Sequence, residues 1–247
     1  MSKKPQELVY GIHAVEAALR SQPENVLQVF TQQGRNDNRI KKIIDIAKNS
    51  GVSLQSITNE KLKEKCPKAR HQGVVAEIRL NQSADLTLDD ILERESVLLL
   101  VLDEVQDPHN IGACLRTADA TAVDAVIVSK NRSPALSSVM RNVASGAAET
   151  VPYILVSNLA RALEKIRDNN VWVLGTSGDA KQTIYDSSAS QRLALVMGSE
   201  GKGMRRLTRE SCDELISLPM LGSVESLNIS VATAVCLYEI RRQQGFK

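Results

Sequence analysis

The sequence predicts an α/β protein: a carboxyl-terminal domain with a parallel sheet and helices on both faces, preceded by a small α/β domain. Three observations predict it. From residue 97 onward, short apolar runs alternate with helix-patterned segments, the order produced when each strand is followed by a crossover helix. The runs, such as Val97-Leu98-Leu99-Leu100-Val101-Leu102, are apolar without alternation, as strands buried on both faces are. Finally, residues 1–82 hold 14 Lys and Arg against 8 Asp and Glu, whereas residues 83–247 hold 17 against 21. A basic amino-terminal third on a mildly acidic body suggests two domains, the first meeting a polyanion; a Lys-rich solvated helix face is the plainer alternative. A chain of 247 residues suffices for both domains.

The first domain is expected over residues 1–80. A helix starts near Gly11 and carries Ala14, Val15, Ala18 and Leu19 at helical spacing. Residues 26–31 read as a strand, and 39–48 as an amphipathic helix with Ile40, Ile43, Ile44 and Ala47 on one face and Gly51 as its stop. A strand at 53–57, a short Lys-rich helix and a strand at 73–78 follow. Residues 81–96 are polar and acidic and read as a linker. In the second domain, 97–247, strands are expected at 97–102, 125–129, 152–156, 171–175, 193–197 and 214–218. Helices are expected at 111–120, 138–144, 159–168, just after Gly203, and at 230–243.

Composition narrows the function classes. Hydrophobic residues at 43% and charged residues at 24% fit a soluble globular protein. No apolar run reaches bilayer length, and the basic start lacks a following apolar segment, so neither a membrane span nor a secretory signal is expected. Cys66, Cys114, Cys212 and Cys236 are scattered without a CxxC pair. That suggests reduced thiols in a cytoplasmic protein, with no metal site. Aromatic residues make up only 3%, which argues against base-stacking platforms and favours recognition through phosphate, ribose and shape.

Three segments that follow strands carry the chemistry. The first runs from Asp107-Pro108-His109-Asn110 through Gly112 to Arg116. Asp107-Pro108 starts a turn, Asn110 suits a helix cap, and His109 reads better as a turn residue than as a base. Arg116 sits among Ala113, Thr117, Ala118 and Ala120, which let another surface approach; alone it would be an ordinary surface Arg. The second segment, Gly198-Ser199-Glu200-Gly201-Lys202-Gly203, needs unusual backbone angles or a close ligand. It is no Walker loop, since Gly203 stands where a magnesium-holding Ser or Thr belongs, and no GxGxxG follows the first strand. The third, from Leu218-Pro219-Met220 to Ser226-Leu227-Asn228, is longer than a plain strand-to-helix connection requires. Gly175-Thr176-Ser177-Gly178 adds a weaker glycine loop.

In this order, the three segments resemble the motifs of the SpoU/TrmH family of RNA ribose 2′-O-methyltransferases, within the knotted SPOUT superfamily. Tyr10-Gly11-Ile12-His13 and His71-Gln72-Gly73-Val74 are similar to that family's amino-terminal substrate-binding domain, which is like ribosomal protein L30e. The resemblance covers nearly the whole chain and is closest to members that act on 23S rRNA. It implies a carboxyl-terminal trefoil knot, a homodimer, S-adenosylmethionine as cofactor, and a guanosine of 23S rRNA, or a large-subunit assembly intermediate, as substrate. It places the cofactor at Gly175, Thr176, Gly198, Glu200, Leu218, Met220, Ser226 and Leu227, and catalysis at Asn110, Arg116, Glu200, Ser226 and Asn228.

A ribose 2′-hydroxyl is a poor nucleophile. The family assigns its activation to the Arg matching Arg116, but a guanidinium does not readily act as a base. A donor that clamps phosphate and stabilises the developing alkoxide is the better role for Arg116, with Asn110, Glu200, Ser226 and Asn228 placing the ribose. Two alternatives stand: the same reaction on tRNA, and a non-catalytic RNA-binding or ribosome-assembly protein. The last helix, with Ile229, Ala232, Val235, Cys236 and Ile240, is the expected dimer surface.

Overall fold

The structure, a computed structural model, describes residues 6–67, 71–79 and 86–246. In chain order the first elements are β1 (Gln6–Tyr10), α1 (Ile12–Ser21), β2 (Val26–Gln32), α2 (Asn38–Asn49), β3 (Ser53–Ile57), α3 (Asn59–Lys65) and β4 (Val74–Arg79). Then come α4 (Leu88–Leu92), β5 (Val97–Asp103), α5 (Pro108–Ala120), β6 (Ala125–Ser129), α6 (Ser138–Ala144), β7 (Tyr153–Val156), α7 (Leu159–Asp168) and β8 (Trp172–Thr176). The chain closes with β9 (Gln182–Thr183), β10 (Arg192–Gly198), α8 (Arg206–Glu210), β11 (Glu214–Ser217) and α9 (Ile229–Gln243). Two compact units result, one of residues 1–85 with 137–150, the other of 86–136 with 151–247.

The first unit holds a four-stranded sheet in the order β1-β4-β2-β3, antiparallel except for the β2–β3 pair. Asp37 caps α2 through the amides of Arg39 and Ile40, and Ile40, Ile43 and Ala47 are fully buried with Val15, Leu19 and Val29. Leu62 of α3 closes a second cluster with Phe30, Ile57 and Val75. Strand β1, unseen in the sequence pattern, pairs with β4 from Gln6 to Tyr10.

This unit also claims α6, which the sequence assigns to the second domain. The Tyr10 amide donates to Asn142 Oδ1 at 3.1 Å, and buried Arg141 pairs with Glu149 and with Glu7. Gly146 permits the approach, because a Cβ there would lie 2.5 Å from Ala17 Cβ. The expected 81–96 linker is also shorter than the sequence suggests. Residues 81–85 of it lie outside the described residues. Thr87 then forms a capping box with Asp90, and α4 buries Leu88, Ile91 and Leu92 against the second sheet.

In the second unit every strand pair is parallel, in the order β7-β6-β5-β10-β8-β11-β9. All seven residues of β5 are buried. Val97, Leu99 and Val101 pack in one cluster with α4 and α7 residues such as Ile91, Leu163 and Ile166. Leu98, Leu100 and Leu102 alternate to the other face. A fully buried Leu of this kind contributes about 1.5–3 kcal/mol. α9 packs on α5, where Cys114 Sγ meets Thr233 Oγ1 at 3.6 Å. All four cysteines are free thiols, and burial pushes Cys114 up to about 11 and Cys212 and Cys236 up to about 12. No helix among the described residues is long and apolar enough to cross a membrane.

Candidate active site

Parallel pairing sets the carboxyl ends of β5, β10, β8 and β11 along one edge of the sheet. The chain leaves β5 for β6 and β7 on one side, while β10 borders β5 on the other and leads to β11 beyond β8. Such a reversal of strand order opens a crevice where sheets of this kind bind ligands. Asp103 and Gly198 are register partners at that point.

Helix α5 begins there, three residues earlier than the sequence pattern suggests. Asp107, not Asn110, is its cap, accepting the His109 amide at 3.0 Å. Pro108 fits the first helical position because it has no N–H to leave unsatisfied. Asn110 therefore falls within the first turn, and its side chain is spared for longer-range contacts. His109 is exposed in that turn.

After β10, Ser199 and Gly203 exchange backbone hydrogen bonds of 3.1 and 2.9 Å, closing a hairpin around Glu200. Gly201 and Gly203 adopt φ of +78° and +66°, which L side chains disfavour. A Cβ on Gly198 would lie 2.2 Å from the Gly203 carbonyl carbon. These glycines let the hairpin fold back over the end of β10.

The third segment delivers Asn228 as the cap of α9. Its Oδ1 accepts from the Ser230 amide at 3.0 Å, which turns its Nδ2 outward. That Nδ2 donates to Glu200 Oε1 at 2.7 Å and to Asn110 Oδ1 at 3.0 Å. Glu200 Oε1 also accepts Asn110 Nδ2 at 3.2 Å and the Ile229 amide at 3.0 Å. A carboxylate thus sits on the amino end of α9, where the helix dipole and an unpaired amide favour it. Three residues from three segments form one hydrogen-bonded ring.

The side chains of Arg116 and Ser226 are exposed and join no side-chain hydrogen bond or ion pair among the described residues. Around them the 218–228 segment exposes Leu221 (98%), Val224 (59%) and Leu227 (37%), whereas Leu218 and Met220 are half-buried. Gly175 serves the chain's own packing: a Cβ there would meet Cys212 Sγ at 2.6 Å and Met204 Cε at 2.9 Å. The Thr176 hydroxyl donates to the Val196 carbonyl at 3.1 Å. Beyond it, Arg209 clamps Asp179 at 2.9 Å and holds its carboxyl down to about 2, with Ser177 assisting. Two participants are absent from the sequence reading, the Ile229 amide and Asp103. Asp103 was detectable in principle, since a carboxylate ending a run of buried apolar residues needs partners. Among the described residues no cluster of three or more His, Cys, Asp or Glu could hold a metal ion.

Residues 97–238 match the SpoU rRNA Methylase family, and residues 8–84 match the RNA 2′-O ribose methyltransferase substrate binding family. The chain is 51% identical over 243 residues to the 23S rRNA (guanosine-2′-O-)-methyltransferase RlmB of Yersinia pestis, covering 98% of this chain and 99% of that one. It is 52% identical over 242 residues to RlmB of Escherichia coli K12, with 97% and 99% covered. In fold it is similar to the crystal structure of an RNA 2′-O ribose methyltransferase (TM-score 0.82, 24% identity, 98% of this chain and 90% of that one). The SpoU methyltransferase AviRb from Streptomyces viridochromogenes, solved with AdoMet, has a TM-score of 0.81 at 22% identity, with 98% and 92% covered.

Proposed function

The chain belongs to the SpoU rRNA methylase family, and from that premise we propose that it transfers a methyl group from S-adenosylmethionine to the ribose 2′-hydroxyl of a guanosine in 23S rRNA. The observation that carries this reading is the ring of Asn110, Glu200 and Asn228, built at the β5–β10 crevice from three distant segments. A protein that only bound RNA would have no need to aim three polar side chains at one another there. The near full-length likeness to enzymes named for 23S rRNA favours that substrate over tRNA.

The 218–228 segment fits the cofactor: it is irregular, Leu221, Val224 and Leu227 are exposed, and a Cβ on Gly222 would meet nothing within 4 Å. Leu218, Met220, Ser226 and Leu227 would hold S-adenosylmethionine, with Gly175, Thr176, Gly198 and Glu200 forming the strand-end floor. When bound, the cofactor supplies an electrophilic methyl group on a sulfonium. Glu200 Oε1 is already the acceptor of three hydrogen bonds, so Glu200 anchors the site. Arg116, exposed and unpaired among the described residues, is the group available to grip a phosphate and stabilise a developing 2′-alkoxide. Asn110, Ser226 and Asn228 would place the ribose, and its hydroxyl proton would pass to solvent water as the oxygen gains the methyl group. Holding the hydroxyl in line supplies much of the acceleration.

The enzyme acts in the bacterial cytoplasm, on rRNA or a large-subunit assembly intermediate, as a homodimer. The dimer surface differs from the sequence expectation. Ile229, Cys236 and Ile240 are buried within their own chain at 3%, 0% and 0% exposure. Val231 (49%) and Tyr238 (51%), with Ala234 and Val235 between them, leave an apolar stripe at helical spacing for a second copy. A trefoil knot is supported by β11, the last strand, lying between the earlier β8 and β9 before α9 returns to α5. Mapping ribose methylation in rRNA from cells with and without this protein tests the assignment. One 23S guanosine should lose its methyl group; an unchanged map would refute the reading.

A further inference from the structure

We infer that Asp103 and Arg205 are positioning residues that hold the Glu200 hairpin in register with the first turn of α5. The inference rests on the methyl-transfer reading for its kinetic arm alone. Asp103 ends β5 and is 0% exposed. Its Oδ2 accepts the Arg205 amide at 2.9 Å, its Oδ1 accepts Arg205 Nε at 2.7 Å, and Arg205 Nη2 adds an ion pair to the same Oδ1 at 2.7 Å. Both carboxylate oxygens are thus spent on one residue, through backbone and side chain together. Glu104 lies 3.6 Å from the same Nε and pairs in turn with Arg132, just past β6.

The hairpin has two roots. One is Gly198, held in β10 opposite Asp103. The other is Met204-Arg205, which belongs to no strand: Met204 packs on the core of the second sheet, and Asp103 holds Arg205 by its amide and its guanidinium. Releasing the second root leaves the Ser199–Gly203 pair intact but lets the hairpin tilt, carrying Glu200 away from Asn110 and Asn228. Asp103 is buried while the Arg205 side chain is 33% exposed, so water screens part of the attraction between them. What the pair adds is geometry. It ties the strand that leads to Asn110 to the loop that carries Glu200.

The test uses the full chain with 15N-labelled Asn and the variants Asp103→Asn, Arg205→Lys, Glu200→Gln and the Asp103→Asn/Glu200→Gln double. Asp103→Asn should move the side-chain amide signals of Asn110 and Asn228, as Glu200→Gln does, with Arg205→Lys moving them less. Turnover in Asp103→Asn should fall on the order of 100-fold with KM for RNA within about threefold, since a misplacement near 1 Å suffices. Added to Glu200→Gln, Asp103→Asn should cost little more, because both act through one group. If Asp103→Asn folds with both signals unmoved, or if the losses multiply in the double variant, the inference is wrong. Should Asp103→Asn fail to fold, Arg205→Lys decides by the same signals. A wild-type protein that transfers no methyl group would refute the functional reading, and the amide signals would still judge the positioning.

Discussion

Asn228 Nδ2 lies 2.7 Å from Glu200 Oε1, while the Asn228 Oδ1 caps α9. One side chain therefore does two separable things, starting a helix and orienting a carboxylate.

Replacing Asn228 with Asp separates them. Asp caps a helix as well as Asn does, so α9 should keep its stability. The donor to Glu200 becomes a second carboxylate, and repulsion opens the ring. Melting temperature should change little while turnover falls at least about tenfold. A variant with full turnover would show that the ring is incidental to the chemistry.

Arg116→Lys keeps the charge but loses the planar fork that grips phosphate by two donors. Turnover should drop about 100-fold or more, the scale for losing one donor to a developing oxyanion. S-adenosylmethionine affinity, measured by calorimetry, should stay within a factor of two or so. Near wild-type turnover would remove Arg116 from the mechanism.

Tyr238→Lys combined with Val231→Glu places charge on the exposed stripe of α9 without touching the buried residues beneath it. Light scattering should give twice the 27.0 kDa chain mass for the wild type and the chain mass for the variant. A variant that remains dimeric would move the interface elsewhere.

Removing residues 1–85 should weaken rRNA binding and flatten its salt dependence, because that segment carries the positive excess. S-adenosylmethionine binding should survive. The fragment should also melt earlier than the intact chain, since Met140, Ala144 and Ala147 of the 137–150 segment lose the unit that covers them. Unchanged RNA affinity would contradict the division of labour.

Much of this architecture was legible beforehand, for identifiable reasons. Strands such as β5 and β10 announce themselves because burial on both faces demands unbroken apolar runs. Asn110, Glu200 and Asn228 were legible as small-residue and glycine punctuation after strands. Their mutual bonding was not, since contacts across 90 and 118 residues leave no local pattern. Strand β1 was hidden by its mixed residues, Gln6-Glu7-Leu8-Val9-Tyr10, which gain strand geometry only by pairing with β4. The helix pattern of α9 identified apolar positions but not which neighbours they meet, so Cys236 and Ile240 looked available and proved internal. The α6 segment carries no signal of its allegiance either, because Arg141 finds Glu7 across the fold.

The most direct measurement is transfer of a labelled methyl group from S-adenosylmethionine by the purified protein to protein-free or partly assembled large-subunit RNA, followed by nucleoside analysis. The wild type should form a single 2′-O-methylguanosine in 23S rRNA, and Arg116→Lys should nearly abolish it. Label appearing only in tRNA, on a base, or equally in both proteins would contradict the assignment.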